Sequence, residues 1–515
     1  MPGADIIMLN FGPNGEPQIT DRHALTFSEP VIDKCQDWEL VGGEQGDGYT
    51  TFHVKRKFDT GDTQDRKLVE GENRVIWGIG PSNDIRYKHP SDSDHRGSTV
   101  VSFWGEPTPW NDTDPNVSTY EMTMPGVTIP SDKITTYMCQ SLVLPEVSEA
   151  HIIRIDPIVQ KSSEGIVHHF LVHLCEPTSY WQKYTKAQRC SSPLGDLDSG
   201  CTQLMFAWAV GGGSLYVPPE AGFLMGTKDP HAATHVILEV HYDNRKLTPD
   251  MIDNSGVRIH YTPEKRKYDA AMVTLGDFGA ALSPIPPKQK YFEYELDCPS
   301  ECTKNWPHDI HVFADFLHMH EVGSQMWSTH HRGDEYLGIL SRADFFEFDW
   351  QQIATIDKVI KRGDRINTHC AYNTMSRSTP TEFGIDSTDE MCMEFLSYYP
   401  AMKNHKTEPI VWCGYRKIGS SNGTICGTVD DTIEDLHNPT KKDVPGTGYY
   451  DFGEPCITTK TVTLPPSSEE WYRTSGMEGA LIAIIVVFAL TIVALVVVTV
   501  IKIRRNSLGN QYNQL

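Results

Sequence analysis

The chain does not begin with the basic and then apolar run of a secretory leader: Met1-Pro2-Gly3-Ala4-Asp5 is polar. Its 12 cysteines include no Cys-x-x-Cys pair of the kind that holds structural zinc. Positive charge is scarce. Forty-five Lys and Arg against 68 Asp and Glu leave a net charge of −23 and a sequence pI near 5.3. That excludes the basic face of a nucleic-acid binder. No internal repeat is visible, which excludes solenoids and propellers.

What is present points to the secretory pathway. From Gly479 to Ile501 the chain is apolar and uncharged; as a helix rising 1.5 Å per residue it crosses a hydrocarbon core of roughly 30 Å. Glu469, Glu470 and Glu478 precede it, and Lys502, Arg504 and Arg505 follow. The positive-inside tendency puts residues 502–515 in the cytosol and everything ahead of 479 in the lumen or outside the cell, as in a type I single-pass protein. An even number of cysteines, all ahead of that segment, reads as disulfides in an oxidising compartment. The sequons at Asn111, Asn116 and Asn422 fit the same compartment. Such a chain should carry a leader, so its polar start suggests an N-terminally truncated gene product.

The body of the chain reads as all-β. Strand-like runs such as Thr51–Lys55 and Arg74–Gly80 mark residues 1–82. Residues 83–117 form a polar linker rich in Pro, Asp and Ser. Residues 118–263 and 264–415 are two further β-rich segments whose closely spaced turn signals predict antiparallel sandwiches. Residues 416–478 read as a stalk.

Within this frame the histidines stand out. The run Ile310–Gly323 predicts a buried strand ending in a turn, with His318 and His320 on one face and Met319 on the other. His168 and His169 are adjacent, so both reach one ion only at a bulge or a strand end. His241 closes the strand Leu238–Tyr242, and Asp389-Glu390-Met391-Cys392 lies further on. Each alone reads equally well as packed core residues.

Together, in this order, they resemble the copper type II ascorbate-dependent monooxygenases, the family of dopamine β-hydroxylase, tyramine β-hydroxylase and the peptide-amidating hydroxylase. His168-His169 matches its HH pair, Glu239-Val240-His241-Tyr242 its E-V-H-Y, His318-Met319-His320 its H-x-H, and Glu390-Met391-Cys392 its E-M-C. Tyr398-Tyr399-Pro400 is similar to the dopamine β-hydroxylase branch. Pro2–Asp5, Thr20–Ala24, Gln36–Leu40 and Arg74–Gly80 resemble the second half of a DOMON β-sandwich. The implied architecture is a partial DOMON sandwich, two tandem copper sandwiches and one transmembrane helix.

The resemblance implies two coppers per chain. His168, His169 and His241 would hold an electron-transfer copper. His318, His320 and Met391 would hold the oxygen-activating copper, since two imidazoles and a thioether favour Cu(I). Substrate, O₂ and ascorbate as electron donor follow, with no haem in the DOMON part. Implied disulfides are Cys139–Cys190, Cys175–Cys201, Cys298–Cys413 and Cys370–Cys392; Cys302 is expected to join Cys456, leaving Cys35 and Cys426 unassigned. The peptide-amidating branch has Arg at the position of Phe316, and Asn and Tyr at those of Met393 and Phe395. The implied substrate is therefore a small aromatic-amine-like or apolar molecule rather than a peptide, with Phe316, Met393 and Phe395 beside it. Glu394, the one obvious charge nearby, alternates away from Met391 and Met393 and reads as solvated. The rival readings are a non-catalytic copper- or haem-binding surface protein on the same fold and a zinc-bound adhesion module. Neither the substrate nor the oligomeric state is specified by these residues.

Overall fold

The computed structural model describes residues 3–426, except for 27, 70, 84–94, 102, 104–113, 176, 178–179, 191–200, 202, 279–281, 349–350, 385, 403–411 and 419–420, together with 432–434, 440–442 and 495–504. The chain divides into two compact units.

The first unit contains residues 1–69, 77–97 and 449–515. Asp5–Phe11, Pro17–His23 and Val31–Ile32 form one antiparallel sheet. Glu39–Gly46 and Tyr49–Lys57 form a hairpin through Asp47-Gly48, both at positive φ, as a tight two-residue hairpin turn requires. The far edge of Tyr49–Lys57 pairs with Leu495–Arg504. An open edge offers unpaired N–H and C=O groups, and a β-branched run can satisfy them. The helix expected over 479–501 is therefore not observed: 479–494 lie outside the described residues, and the end of the run is a strand. Among the described residues no helix is long and apolar enough to cross a membrane.

The second unit, residues 70–76 and 98–448, contains two β-sandwiches. In the first, Thr135–Val143, His235–Asp243, Val167–Cys175 and Gln203–Ala209 form one antiparallel sheet. It packs on a second sheet carrying Ala221–Met225, Ala150–Ile158, Gly256–Thr262 and Ser118–Thr123. Phe170, Phe206, Phe223, Met122 and Tyr242 fill the space between. Every residue of Val167–Cys175 is buried, which explains why this strand is apolar on both faces apart from its histidines.

The second sandwich pairs Ile353–Ile360, Ile310–His318, Met393–Tyr399, Ala271–Phe278 and Trp412–Ile418 in one sheet. Glu335–Ala343, Gly323–Arg332, Asp364–Tyr372 and Phe292–Cys298 form the other. Disulfides join Cys139 to Cys190, Cys175 to Cys201, Cys298 to Cys413 and Cys370 to Cys392. Cys302 pairs with Cys426, not with Cys456. The short helix Ser300–Thr303 turns Cys302 into the core, and the strand Ser421–Ile425 delivers Cys426 to the same cluster. Of the sequons, Asn116 is exposed, the side chain of Asn422 is not described, and Asn111 lies outside the described residues. Most of 416–478 also lies outside them.

Candidate metal centre

The first cluster is made by a bulge. Pairing between Val167–Cys175 and His235–Asp243 slips one residue between Val167 and His169, so His168 is the extra residue. That slip lets two neighbouring imidazoles converge instead of pointing to opposite faces. His169 stands opposite His241, and the ring of Tyr137 stacks on His241 at 4.4 Å. Nδ1 of His169 lies 3.1 Å from Nδ1 of His168 and 3.3 Å from Nδ1 of His241, and all three side chains are buried.

These spacings test the fit to a metal. His169 Nδ1 offers a single in-plane position, a hydrogen or a lone pair, to two close nitrogens, so protons alone cannot give both contacts a full hydrogen bond. A metal–imidazole bond of about 2.0 Å puts ligand nitrogens 90–110° apart at roughly 2.8–3.3 Å from each other, as here. Burial, then the neighbouring imidazoles, hold His169 and His241 well below the ordinary histidine value, which keeps them neutral as ligands must be. An all-imidazole set suits copper.

The second cluster closes the strand Ile310–His318. The rings of His318 and His320 stand 5.2 Å apart at 88°. Nδ1 of His318 donates to the side-chain oxygen of Gln351 at 2.7 Å, while the Gln351 amide donates to the Phe348 carbonyl. Nδ1 of His320 donates to the Asp389 carbonyl at 3.3 Å. Both rings therefore keep Nε2 as the free lone pair. Burial lowers His318 to about 4 and holds His320 well below the ordinary histidine value.

Met391 lines the same cavity as His318 and His320. Glu390 ties them together: its Oε2 accepts N–H groups of His320 (2.9 Å) and Met391 (3.3 Å), and its Oε1 accepts that of Val322 (2.7 Å). Burial pushes Glu390 up to about 8, with the three N–H groups pulling the other way. Tyr372 donates to the Met391 carbonyl at 2.8 Å, and the Cys370–Cys392 disulfide holds the next residue. The thioether, two imidazoles and absence of thiolate suit Cu(I).

The two clusters meet across one cavity, with the rings of His169 and His318 5.9 Å apart. Phe348 stacks on His168 at 4.2 Å and meets His320 edge-on at 5.6 Å. Phe316, Met393 and Phe395 stand on the cavity wall with Leu171 and Trp208. The enclosed space is about 30 Å³, room for one or two water-sized molecules.

Glu394 corrects the sequence reading. It is fully buried between the two sheets of the second sandwich, accepts from Ser328 at 2.6 Å and Thr368 at 2.9 Å, and is pushed up to about 7 by burial. Alternation did turn it away from Met391; the far side is a second sheet, not water. The carboxyl that lines the cavity is Glu239, pushed up to about 8 by burial. Gln351, Phe348 and the bracing role of Glu390 were also missed. Glu239 and Glu390 stood inside the quoted motifs, whereas Gln351 and Phe348 sit in a connection with no periodic signal.

Residues 120–249 match the N-terminal domain of copper type II ascorbate-dependent monooxygenases, and 268–409 match the C-terminal domain. Residues 1–80 match the DOMON domain. The chain is 30% identical over 446 residues to DBH-like monooxygenase protein 1 of Homo sapiens, covering 85% of this chain and 69% of that protein. It is 30% identical to tyramine beta-hydroxylase of Caenorhabditis briggsae, covering 78% of this chain and 69% of that protein. Identity to dopamine beta-hydroxylase of Homo sapiens is also 30%, covering 75% of this chain and 63% of that protein.

Proposed function

Because the chain belongs to the copper type II ascorbate-dependent monooxygenase family, we propose that it hydroxylates a C–H bond of a small aromatic-amine-like or apolar substrate. One atom of O₂ enters the C–H bond and the other leaves as water, with two electrons and two protons from ascorbate. Bound copper supplies the one-electron steps and O₂ activation that no side chain can perform. His168, His169 and His241 would hold one copper, suited to electron transfer; His318, His320 and Met391 would hold the other, suited to O₂ activation. Gln351 and the Asp389 carbonyl fix the orientation of His318 and His320, and Glu390 keeps Met391 in register with them. The apolar wall of Phe316, Met393 and Phe395 excludes water around the reacting carbon.

The observation that carries this reading is the meeting of two buried clusters across one cavity, lined by His169 of the first and by His318 and His320 of the second. The disulfides support a lumenal or extracellular site, and the uncharged run 479–501 supports a C-terminal membrane anchor. Helical insertion would require 495–504 to leave the edge of Tyr49–Lys57.

Copper analysis and O₂ uptake with ascorbate on the purified protein test the proposal. Two coppers per chain are expected, and Met391→Ala should abolish uptake while leaving the three-histidine copper in place. Fewer than two coppers, or uptake unchanged in the variant, would sink it. Extraction of membranes at alkaline pH tests the anchor separately; release of the protein into the supernatant argues against it.

A further inference from the structure

The face of the second sandwich turned away from its core carries a cluster that the copper chemistry does not use. Along Phe292–Cys298 the residues Phe292, Tyr294 and Leu296 enter the core, so alternation turns Glu293 and Glu295 to the other face. The neighbouring strand Asp364–Tyr372 sends Cys370 and Tyr372 into that core and sets His369 and Asn367 beside the two carboxylates, with Glu295 directly opposite His369. Nδ1 of His369 and Oε1 of Glu293 lie 3.0 Å apart, and one ligand atom from each of Glu293, Glu295 and His369 falls within 4.8 Å of the other two. The ring of Trp327 stacks on His369 at 4.7 Å, and Tyr291 donates to Oε2 of Glu293. Glu293 and Asn367 are 5% exposed and His369 6%. The Asn367 amide donates to Oε1 of Glu295 at 2.7 Å, which holds it against the cluster, yet its own Oδ1 finds no hydrogen-bond partner among the described residues.

We propose that Glu293, Glu295 and His369 form a zinc site separate from the copper cavity, with Asn367 orienting its shell. Ligand atoms bound to one ion at 2.0–2.2 Å lie at most about 4.4 Å apart, so the cluster needs only a small contraction to close. One imidazole and two carboxylates, without thiolate or thioether, suit a divalent ion harder than Cu(I). Calcium takes roughly six to eight oxygens and magnesium keeps several of its waters. Zinc accepts these ligand types in fours and outranks manganese in affinity. The ion takes the place of the proton shared by His369 Nδ1 and Glu293 Oε1. Asn367 serves the fourth position: its amide fixes Glu295, and its Oδ1 accepts a hydrogen of zinc-bound water, which satisfies a buried acceptor that is costly to leave alone. The ion thereby pins Phe292–Cys298 to Asp364–Tyr372 one residue from Cys370, whose disulfide to Cys392 holds the residue after Met391.

The test uses the full chain loaded anaerobically with Cu(I), which is soft and avoids a carboxylate-rich site. Zinc chloride is then titrated in by calorimetry, and zinc and copper are counted by elemental analysis after gel filtration. The wild type should take up one zinc per chain with its copper unchanged, and its melting temperature should rise with zinc. Glu295→Gln and His369→Gln should lose that zinc and keep the wild-type copper content, and Asn367→Ala should bind it about 10–100-fold more weakly. Asn367→Asp, which turns the unpaired oxygen into a third carboxylate, should bind zinc more tightly than the wild type, a gain that misfolding cannot produce. No zinc on the wild type, equal zinc on the wild type and on Glu295→Gln and His369→Gln, or zinc uptake that expels copper one for one overturns the proposal.

Discussion

Glu390 is where stability and metal binding are held by one side chain. Its two oxygens serve three backbone N–H groups, at His320, Val322 and Met391, in a fully buried position. Glu390→Gln keeps the shape but leaves one acceptor. In the better amide orientation the oxygen stays with His320 and Met391, and the new NH₂ faces the N–H of Val322. One buried donor then loses its partner and meets another donor. At about 1–3 kcal/mol for an orphaned buried donor, with the donor–donor repulsion added, the expected loss is roughly 2–4 kcal/mol. For a domain of this size each kcal/mol shifts Tm by about 2–4 °C, so calorimetry should show a drop of roughly 5–15 °C. Because the carboxylate also sets the spacing of His320 and Met391, copper affinity at that cluster should fall about 10–100-fold. The three-histidine cluster, braced by its own strands, should keep its copper. Titration of the copper-free protein with Cu(I) against a chromogenic chelator separates the two sites. A variant that takes up two coppers at wild-type affinity and melts within about 1 °C of the parent would refute this account of Glu390.

Two further outcomes follow from neighbouring groups. Gln351→Leu removes the acceptor of the His318 Nδ1–H, and copper affinity at that cluster should drop about tenfold or more with little change at the other; equal affinities in the same chelator titration would show that Gln351 does not orient the ring. Glu394 sits near 7 when folded against an ordinary value of 4.5, so between those pH values the folded chain holds a proton that the unfolded chain has lost. Stability then falls as pH rises through 4.5 to 7, by up to roughly 3 kcal/mol for this group, and the buried Asp315 acts in the same direction. Melting curves across pH 4–8 should show the wild type losing ground to Glu394→Gln over that window; a pH-independent difference contradicts the assignment.

The residues most legible in the sequence were those whose chemical type is itself the signal. Imidazole and thioether side chains in a fixed order pointed to copper, and apolar runs bounded by turns pointed to sandwiches. Less legible was anything that depends on what covers a face. The two-residue period told which way Glu394 turns from Met391, but not that Gly323–Arg332 and Asp364–Tyr372 would lie over it and supply Ser328 and Thr368. The same limit applied to Cys302, whose partner depended on where the strand Ser421–Ile425 returned. Likewise the apolar run at 479–501 carries a composition that suits both a membrane helix and an edge strand, and the open edge of Tyr49–Lys57 took its last residues.

What the sequence determined by itself is the set of candidate donors: five imidazoles and one thioether, ligand types that suit copper, on strands whose alternation puts His318 and His320 on one face. Tertiary structure decided how those donors meet. A one-residue slip at His168 turned two adjacent histidines toward one point, and Gln351 and Glu390 fixed the second cluster from a loop and from the motif's own first residue. It also decided that Glu239, not Glu394, faces the cavity. The physical reason is that ligand chemistry is a property of a side chain, whereas convergence, burial and an unpaired oxygen are properties of pairings between distant strands.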